Sequence, residues 1–393
     1  MRPVSDLSTT FADPFTCRCP PQGSPHTGPL AGATIAVKDN IDVAGLATTA
    51  GNPQFAAQRA LPQVSAPVVE TLIAAGALVV GKTIMDEFAY GADGVNAHYG
   101  TPANPAAPGR TCGGSSCGSA SAVAAGLASI GLGTDTGGST RIPPAATGLF
   151  GLRPTHGRVS AAGVVPLAPS FDTVGWMTRD AALLERVTHV LLPSATRATK
   201  PLVLVHAFFD AADMDLAGGA EAAARKLGAV DQVQLDCSLS ALMELYVGLT
   251  RAEIRTAFAW MSTNPIPLGL PVAPRFEAAF AAAGRDLSAL LQERARLRER
   301  MQALLSTCML VFPTLATRTP RIDASSTKRD QARGRILPAT VLAPLIGAPE
   351  ITLPVGRVDS VGDTFPAALS ILGAPDDEWA LCALARKFAD AHC

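Results

Sequence analysis

Lysine is scarce in this chain. Six occur among 393 residues, at positions 38, 82, 200, 226, 328 and 387. Only Lys38 and Lys82 precede residue 200, so an amine acting as a base in the first half has two candidates. Charge of either sign is also sparse, at 17% of residues with a formal balance of −1. So neutral a chain has no electrostatic footprint for nucleic acid or an acidic membrane surface, and neither is expected as a partner. An apolar run of the roughly 18 residues that a spanning helix needs is missing. The eight cysteines form no CxxC pair and the six histidines no HExxH, which argues against structural zinc and a redox dithiol. The opening MRPVSDLSTTFADPF lacks the apolar core of a secretory signal. A reducing, cytoplasmic setting is the expectation.

What is present alternates. ATIAV (33–37), LVVG (78–81), SIGLG (129–133), PLVLVHA (201–207) and VQLD (233–236) have the length and apolar continuity of buried strands. Between them, APVVETLIAAGA (66–77), SAVAAGLA (121–128) and AGGAEAAARKLGA (217–229) carry helical patterns. This alternation predicts an α/β fold: one large domain with a central mixed, twisted β-sheet covered by helices on both faces. Residues 1–30, rich in Pro, Ser and Thr, read as an irregular arm, and 31–393 as the domain. Its middle, 238–310, reads as mainly helical, and PEITLPVG, FPAALSILG and EWALCALARKFADA return to strand and helix.

GALVVGKT (76–83) satisfies the P-loop pattern, but its four central residues are an apolar strand and cannot curl around a polyphosphate. The chemistry lies instead in CGGSSCGSASAVAAGLASIGLGTDTGGSTRIPPA (112–145), where Ser115, Ser116 and Ser139 follow glycine pairs. A serine hydroxyl needs a base. His156, in THGRVS, belongs to no motif that links it to either loop, and Ser139 lacks the GxSxG elbow. A lysine kept neutral by burial remains. Lys38 and Lys82 both end apolar strands, and spacing alone does not separate them.

GGSSCGSASAVAAG followed by GTDTGGSTRIPPA, with 24 residues from Ser115 to Ser139 and VKDN at the end of an upstream strand, resembles the amidase signature family of serine hydrolases. Over residues 30–195 the chain is most similar to the short plant-type indole-3-acetamide hydrolases of that family. The resemblance implies a Ser–Ser–Lys triad: Ser139 as nucleophile, Ser115 as the bridging serine on a cis peptide, and Lys38 as base. It implies an oxyanion hole at Thr136, Gly137 and Gly138, and substrate contacts at Met85 and Gly114, with Asp86, Phe88 and Tyr90 nearby. Asp135 and Arg141 are expected to orient the loop, and Ser116 to cap the following helix. Neither metal nor cofactor is called for, and the resemblance leaves room for a homodimer.

The implied reaction releases ammonia from a small aryl- or indole-acetamide through an acyl-enzyme. Alternatives are an aliphatic or urea-like amide, the amidase subunit of a tRNA-dependent amidotransferase, and a non-catalytic anion binder. Cys112, Cys117, Pro144 and Thr147 depart from the family pattern without removing a catalytic group, and the two cysteines raise an expectation of thiol sensitivity.

Overall fold

The computed structural model describes residues 11–23, 27–192, 194, 198–282, 284, 286–360 and 362–391. Before residue 180 it has strands β1 (Phe11–Ala12), β2 (Phe15–Gln22), β3 (Thr34–Lys38), β4 (Leu78–Thr83), β5 (Thr101–Pro102), β6 (Ile130–Asp135), β7 (Phe150–Arg153) and β8 (Thr173–Thr178). Beyond it lie β9 (Leu202–Val205), β10 (Asp231–Val233), β11 (Met309–Pro313), β12 (Glu350–Ser360) and β13 (Asp363–Leu372). Eleven strands form one sheet in the order β10-β9-β11-β13-β12-β7-β8-β6-β3-β4-β2, while β1 pairs with β5 apart from it. Pairing is mixed: β6, β3 and β4 run parallel, whereas β12 and β13 form an antiparallel pair.

Helices cover both faces, and β11 shows why its sequence is apolar throughout. Met309 and Val311 point into one hydrophobic cluster, with Trp176, Leu184 and Leu381, while Leu310 and Phe312 point into another, with Leu342 and Phe365. Alternate side chains leave a strand on opposite sides, so a strand packed on both faces has no polar face. The helical middle is present as Leu239–Ala257, Ala273–Ala281 and Ser288–Leu305.

Two expectations change and a third holds. The arm is not irregular where it is described: β2 pairs antiparallel with β4. The strand contains Pro20 and Pro21, yet β2 is the last strand of the sheet, and an edge tolerates residues that cannot donate to a ladder. The helix expected at 121–128 runs Cys117–Ala124, four residues earlier. GALVVGKT contributes Leu78–Thr83 to β4, in keeping with the rejection of a phosphate loop.

Parallel pairing of β3 with β6, in which Val37 faces Leu132, brings the carboxyl ends of both strands together. Chemistry collects at such ends in open α/β sheets. Lys38 closes β3, and Thr136-Gly137-Gly138-Ser139 follows β6 directly.

Candidate active site

Lys38 leaves the end of β3 and enters a fully buried space made of oxygen atoms. Its Nζ lies 2.7 Å from Ser115 Oγ, 2.9 Å from Thr134 Oγ1 and 3.3 Å from the Thr134 carbonyl. Asn40 donates to Thr134 Oγ1 at 3.1 Å and so fixes that neighbour. Ser115 Oγ in turn lies 3.0 Å from Ser139 Oγ. The Gly114–Ser115 peptide bond is cis. Of the three, only Ser139 retains exposure, at 6% against 0% for Lys38 and Ser115. The line therefore runs from a buried amine to a hydroxyl at the surface of a cavity.

Electrostatics favour an amine that can give up its charge. Burial is the largest influence on Lys38 and brings its pKa down to about 8, against the opposing pull of Asp86. Asp86 is itself pushed up to about 6, first by burial and then by Asp93. An amine in that range is a competent general base near neutral pH.

Lys82, the other candidate, ends β4 beside β3 and is equally buried. Its Nζ is 2.8 Å from Asp39 Oδ1 and bonds to Thr48 Oγ1 at 3.2 Å and the Ala47 carbonyl at 3.3 Å. None of these partners is a serine of the two loops. His156 donates from Nε2 to the Pro169 carbonyl, 2.9 Å away, and is likewise elsewhere.

The turn after β6 is built around buried charge. Asp135 pairs with Arg141 at 2.7 Å and Arg153 at 2.9 Å, and Arg141 pairs with Glu350 at 2.7 Å. Despite complete burial, the two guanidiniums hold the Asp135 carboxyl far below the usual carboxylate range. Asp135 also accepts from the Thr140 and Gly138 N–H groups, each at 2.9 Å. These bonds give Asp135 and Arg141 the orienting contacts expected of them. They also correct one residue: Gly138, expected among the oxyanion donors, turns its N–H inward to a carboxylate. Among the described residues, the amides of Thr136, Gly137 and Ser139 have no protein acceptor.

Glycine is required here by close approach. A Cβ on Gly137 would fall 2.3 Å from the Tyr246 hydroxyl, and one on Gly138, whose φ is +135°, would fall 2.6 Å from Thr340 Oγ1. Thr340 Oγ1 donates to the Gly137 carbonyl at 2.6 Å, which aims that peptide from the outside. Thr136 Oγ1 donates to Asp172 Oδ1 at 2.5 Å.

The cavity in front of Ser139 is walled by Ala92, Leu167, Ile142 and Tyr90, together with side chains the sequence did not single out. Tyr246, Thr250 and Ile254 come from helix Leu239–Ala257, and Arg333 and Leu337 from helix Ser326–Thr340. Four-residue spacing puts each set on one helix face, but nothing local to those helices marks that face as facing Ser139. Met85 and Gly114, expected at the substrate, do not line this cavity. Met85 is fully buried in a cluster with Phe88, Phe258 and Phe276. Gly114 donates its N–H to the Ala92 carbonyl and backs onto Asp86, whose Oδ1 a Cβ would meet at 2.3 Å.

Two smaller expectations also change. Ser116 occupies the helix N-cap but makes no side-chain cap bond; its hydroxyl donates to the Thr134 carbonyl at 3.4 Å. Cys112 and Cys117 are fully buried, and burial pushes both thiols up, so neither presents a thiolate to a reagent.

Residues 20–230 match the Amidase family. The chain is 37% identical to Amidase 1 of Oryza sativa subsp. japonica over 84% of each protein. It is 34% identical to Amidase 1 of Arabidopsis thaliana, over 92% of this chain and 93% of that one. A crystal structure of an amidase superposes with a TM-score of 0.80 at 30% identity, covering 93% of this chain and 85% of the other. Taken with the glycine–serine turns and the single mixed sheet, these likenesses establish that the chain belongs to the amidase signature family and is an amide hydrolase.

Proposed function

We propose that the protein hydrolyses a small carboxamide, of the aryl- or indole-acetamide type, to a carboxylate and ammonia through a Ser139 acyl-enzyme. One observation carries the reading: an unbroken line of contacts, 2.7 and 3.0 Å long, joins a buried amine of lowered pKa to Ser139, which among the described residues is the serine that lines the cavity. Tyr90, Leu167, Tyr246 and Ile254 suit a flat apolar acyl group.

In this mechanism neutral Lys38 accepts the Ser115 proton while Ser115 accepts that of Ser139. Ser139 Oγ bonds to the amide carbon, and the carbonyl electron pair moves onto oxygen. The alkoxide is met by N–H groups from Thr136, Gly137 and Ser139, with Gly138 left to Asp135. Fixed donors of this kind contribute about 100- to 1000-fold in rate each. The proton held on Lys38 returns through Ser115 to the amide nitrogen, the C–N bond breaks, and ammonia departs. Water then attacks the ester, passes its proton along the same relay, and releases the carboxylate with Ser139 restored.

Ammonia release should be measured on indole-3-acetamide, phenylacetamide, short aliphatic amides and glutamine, for the wild type and Ser139→Ala. The expected outcome is turnover of the arylacetamides that falls on the order of 10⁴-fold or more in the variant. Turnover that survives the substitution would remove Ser139 as nucleophile, and preference for an aliphatic amide would overturn the acyl class.

A further inference from the structure

One wall of the cavity is not used by that mechanism. Arg333 stands among the residues that surround Ser139, beside Tyr246, Tyr90 and Leu337. Among the described residues it has no ion pair, no hydrogen bond is made by any of its nitrogens, and its Nε is buried without a partner.

The other arginines packed around the site are all engaged. Arg141 and Arg153 share Asp135. Arg275 pairs with Asp93 at 3.2 Å and Asp330 at 3.3 Å. Arg294 donates to the Leu345, Pro344 and Ser170 carbonyls, and Arg329 to the carbonyls of Ala324 and Ile322. Asp93, the carboxylate that favours charge on Arg333, accepts a hydrogen bond from Arg275 instead.

The side chain is half-buried, and a guanidinium that buries its Nε without an acceptor is incompletely satisfied. The balance of influences on Arg333 shows it: burial first and then the neighbouring Arg275 lower its pKa, outweighing the pull of Asp93. An anion delivered to the cavity would reverse this. A guanidinium presents a planar fork of donors that matches a carboxylate.

We infer that Arg333 is a specificity residue that selects amides whose acyl group carries a carboxylate, held in the same cavity that Ser139 faces. This rests on the reading of Ser139 as the nucleophile facing that cavity. Within the arylacetamide class it narrows the acyl group to one that carries a carboxylate; the monoamide of a dicarboxylic acid carries the same charge without the ring and probes the charge alone. The product would then be a dicarboxylate. The Tyr246 phenol, kept protonated by burial, stands in the same wall and can donate to the same anion.

Matched pairs test it. Phenylacetamide is compared with 4-carboxyphenylacetamide, and valeramide with the monoamide of glutaric acid, in wild type, Arg333→Gln and Arg333→Lys. A charge-assisted contact predicts a charged-over-neutral ratio in kcat/KM of roughly 10- to 100-fold for the wild type. The ratio should collapse toward unity in Arg333→Gln and recover in part in Arg333→Lys, mostly through KM. A wild-type ratio near unity, or one that Arg333→Gln leaves in place, overturns the inference. A merely structural role would lower both members of a pair and leave their ratio alone. If no pair is turned over, calorimetry on Ser139→Ala decides. Tighter binding of the charged member that is lost on adding Arg333→Gln upholds the role of Arg333 while the proposed acyl class fails. Charge-blind or absent binding overturns it.

Discussion

Lys38 and Lys82 end neighbouring parallel strands, in adjacent rungs of one sheet, and both side chains are fully buried. Their surroundings differ by a single kind of atom. Lys82 meets the Asp39 carboxylate at 2.8 Å, and Asp39 is further bound by the Thr49 hydroxyl at 2.5 Å and the Thr16 hydroxyl at 3.0 Å. Lys38 meets only hydroxyls and a carbonyl. Equal desolvation therefore has opposite consequences. With a carboxylate beside it, an ammonium is compensated and becomes a structural tie. With only neutral oxygens, the charged form is disfavoured and the amine can serve as a base. Burial alone does not make a catalytic lysine; burial with no carboxylate in direct contact does.

The comparison breaks most visibly by substitution. Lys38→Ala should lower the rate of ammonia release on the order of 10²- to 10⁴-fold, the usual contribution of a positioned base, while the melting temperature holds. Lys82→Met should act the other way round. It leaves Asp39 as a buried carboxylate without its ammonium, a loss of about 3–5 kcal/mol in stability, read from the denaturant midpoint. Activity per folded molecule should survive. If Lys82→Met abolishes turnover in fully folded protein, or Lys38→Ala spares it, the assignment of roles is reversed.

A subtler test moves the pKa rather than the residue. Because Lys38 works as the neutral amine, the rate should climb about tenfold per pH unit on the acid side and level off above pH about 8. Asp86, with a pKa of about 6, is ionised there, and its negative charge favours the ammonium form of Lys38. Asp86→Asn removes that charge, so the rising limb should shift to lower pH. A shift to higher pH, or a profile flat from pH 6 to 10, would detach Lys38 from the rate-limiting proton transfer.

Much of this was legible in the chain. The strands announce themselves as continuous apolar runs because both faces of the sheet are covered, and β3 and β6 lie within a residue or two of their expected places. The glycine pairs before Ser115 and Ser139 mark close approach, which Ile142 and Asp86 impose on the first and the Tyr246 hydroxyl and Thr340 on the second. The N-terminal strand was hidden because TCRCPPQ has neither alternation nor continuity, only an edge position that tolerates it. Arg333 and Tyr246 were hidden because an amphipathic helix shows which face is buried but not what it is buried against.

Sequence alone determined the element types, the two glycine–serine turns and the reagents for a serine hydrolase, since these follow from local period, backbone freedom and residue chemistry. Tertiary structure decided which lysine is the base, which amides are free to meet an oxyanion, and which distant side chains wall the cavity. The reason is range: a pKa or a free N–H depends on atoms within a few ångströms, and here those atoms come from far along the chain, as Thr340 reaches the Gly137 carbonyl across 203 positions.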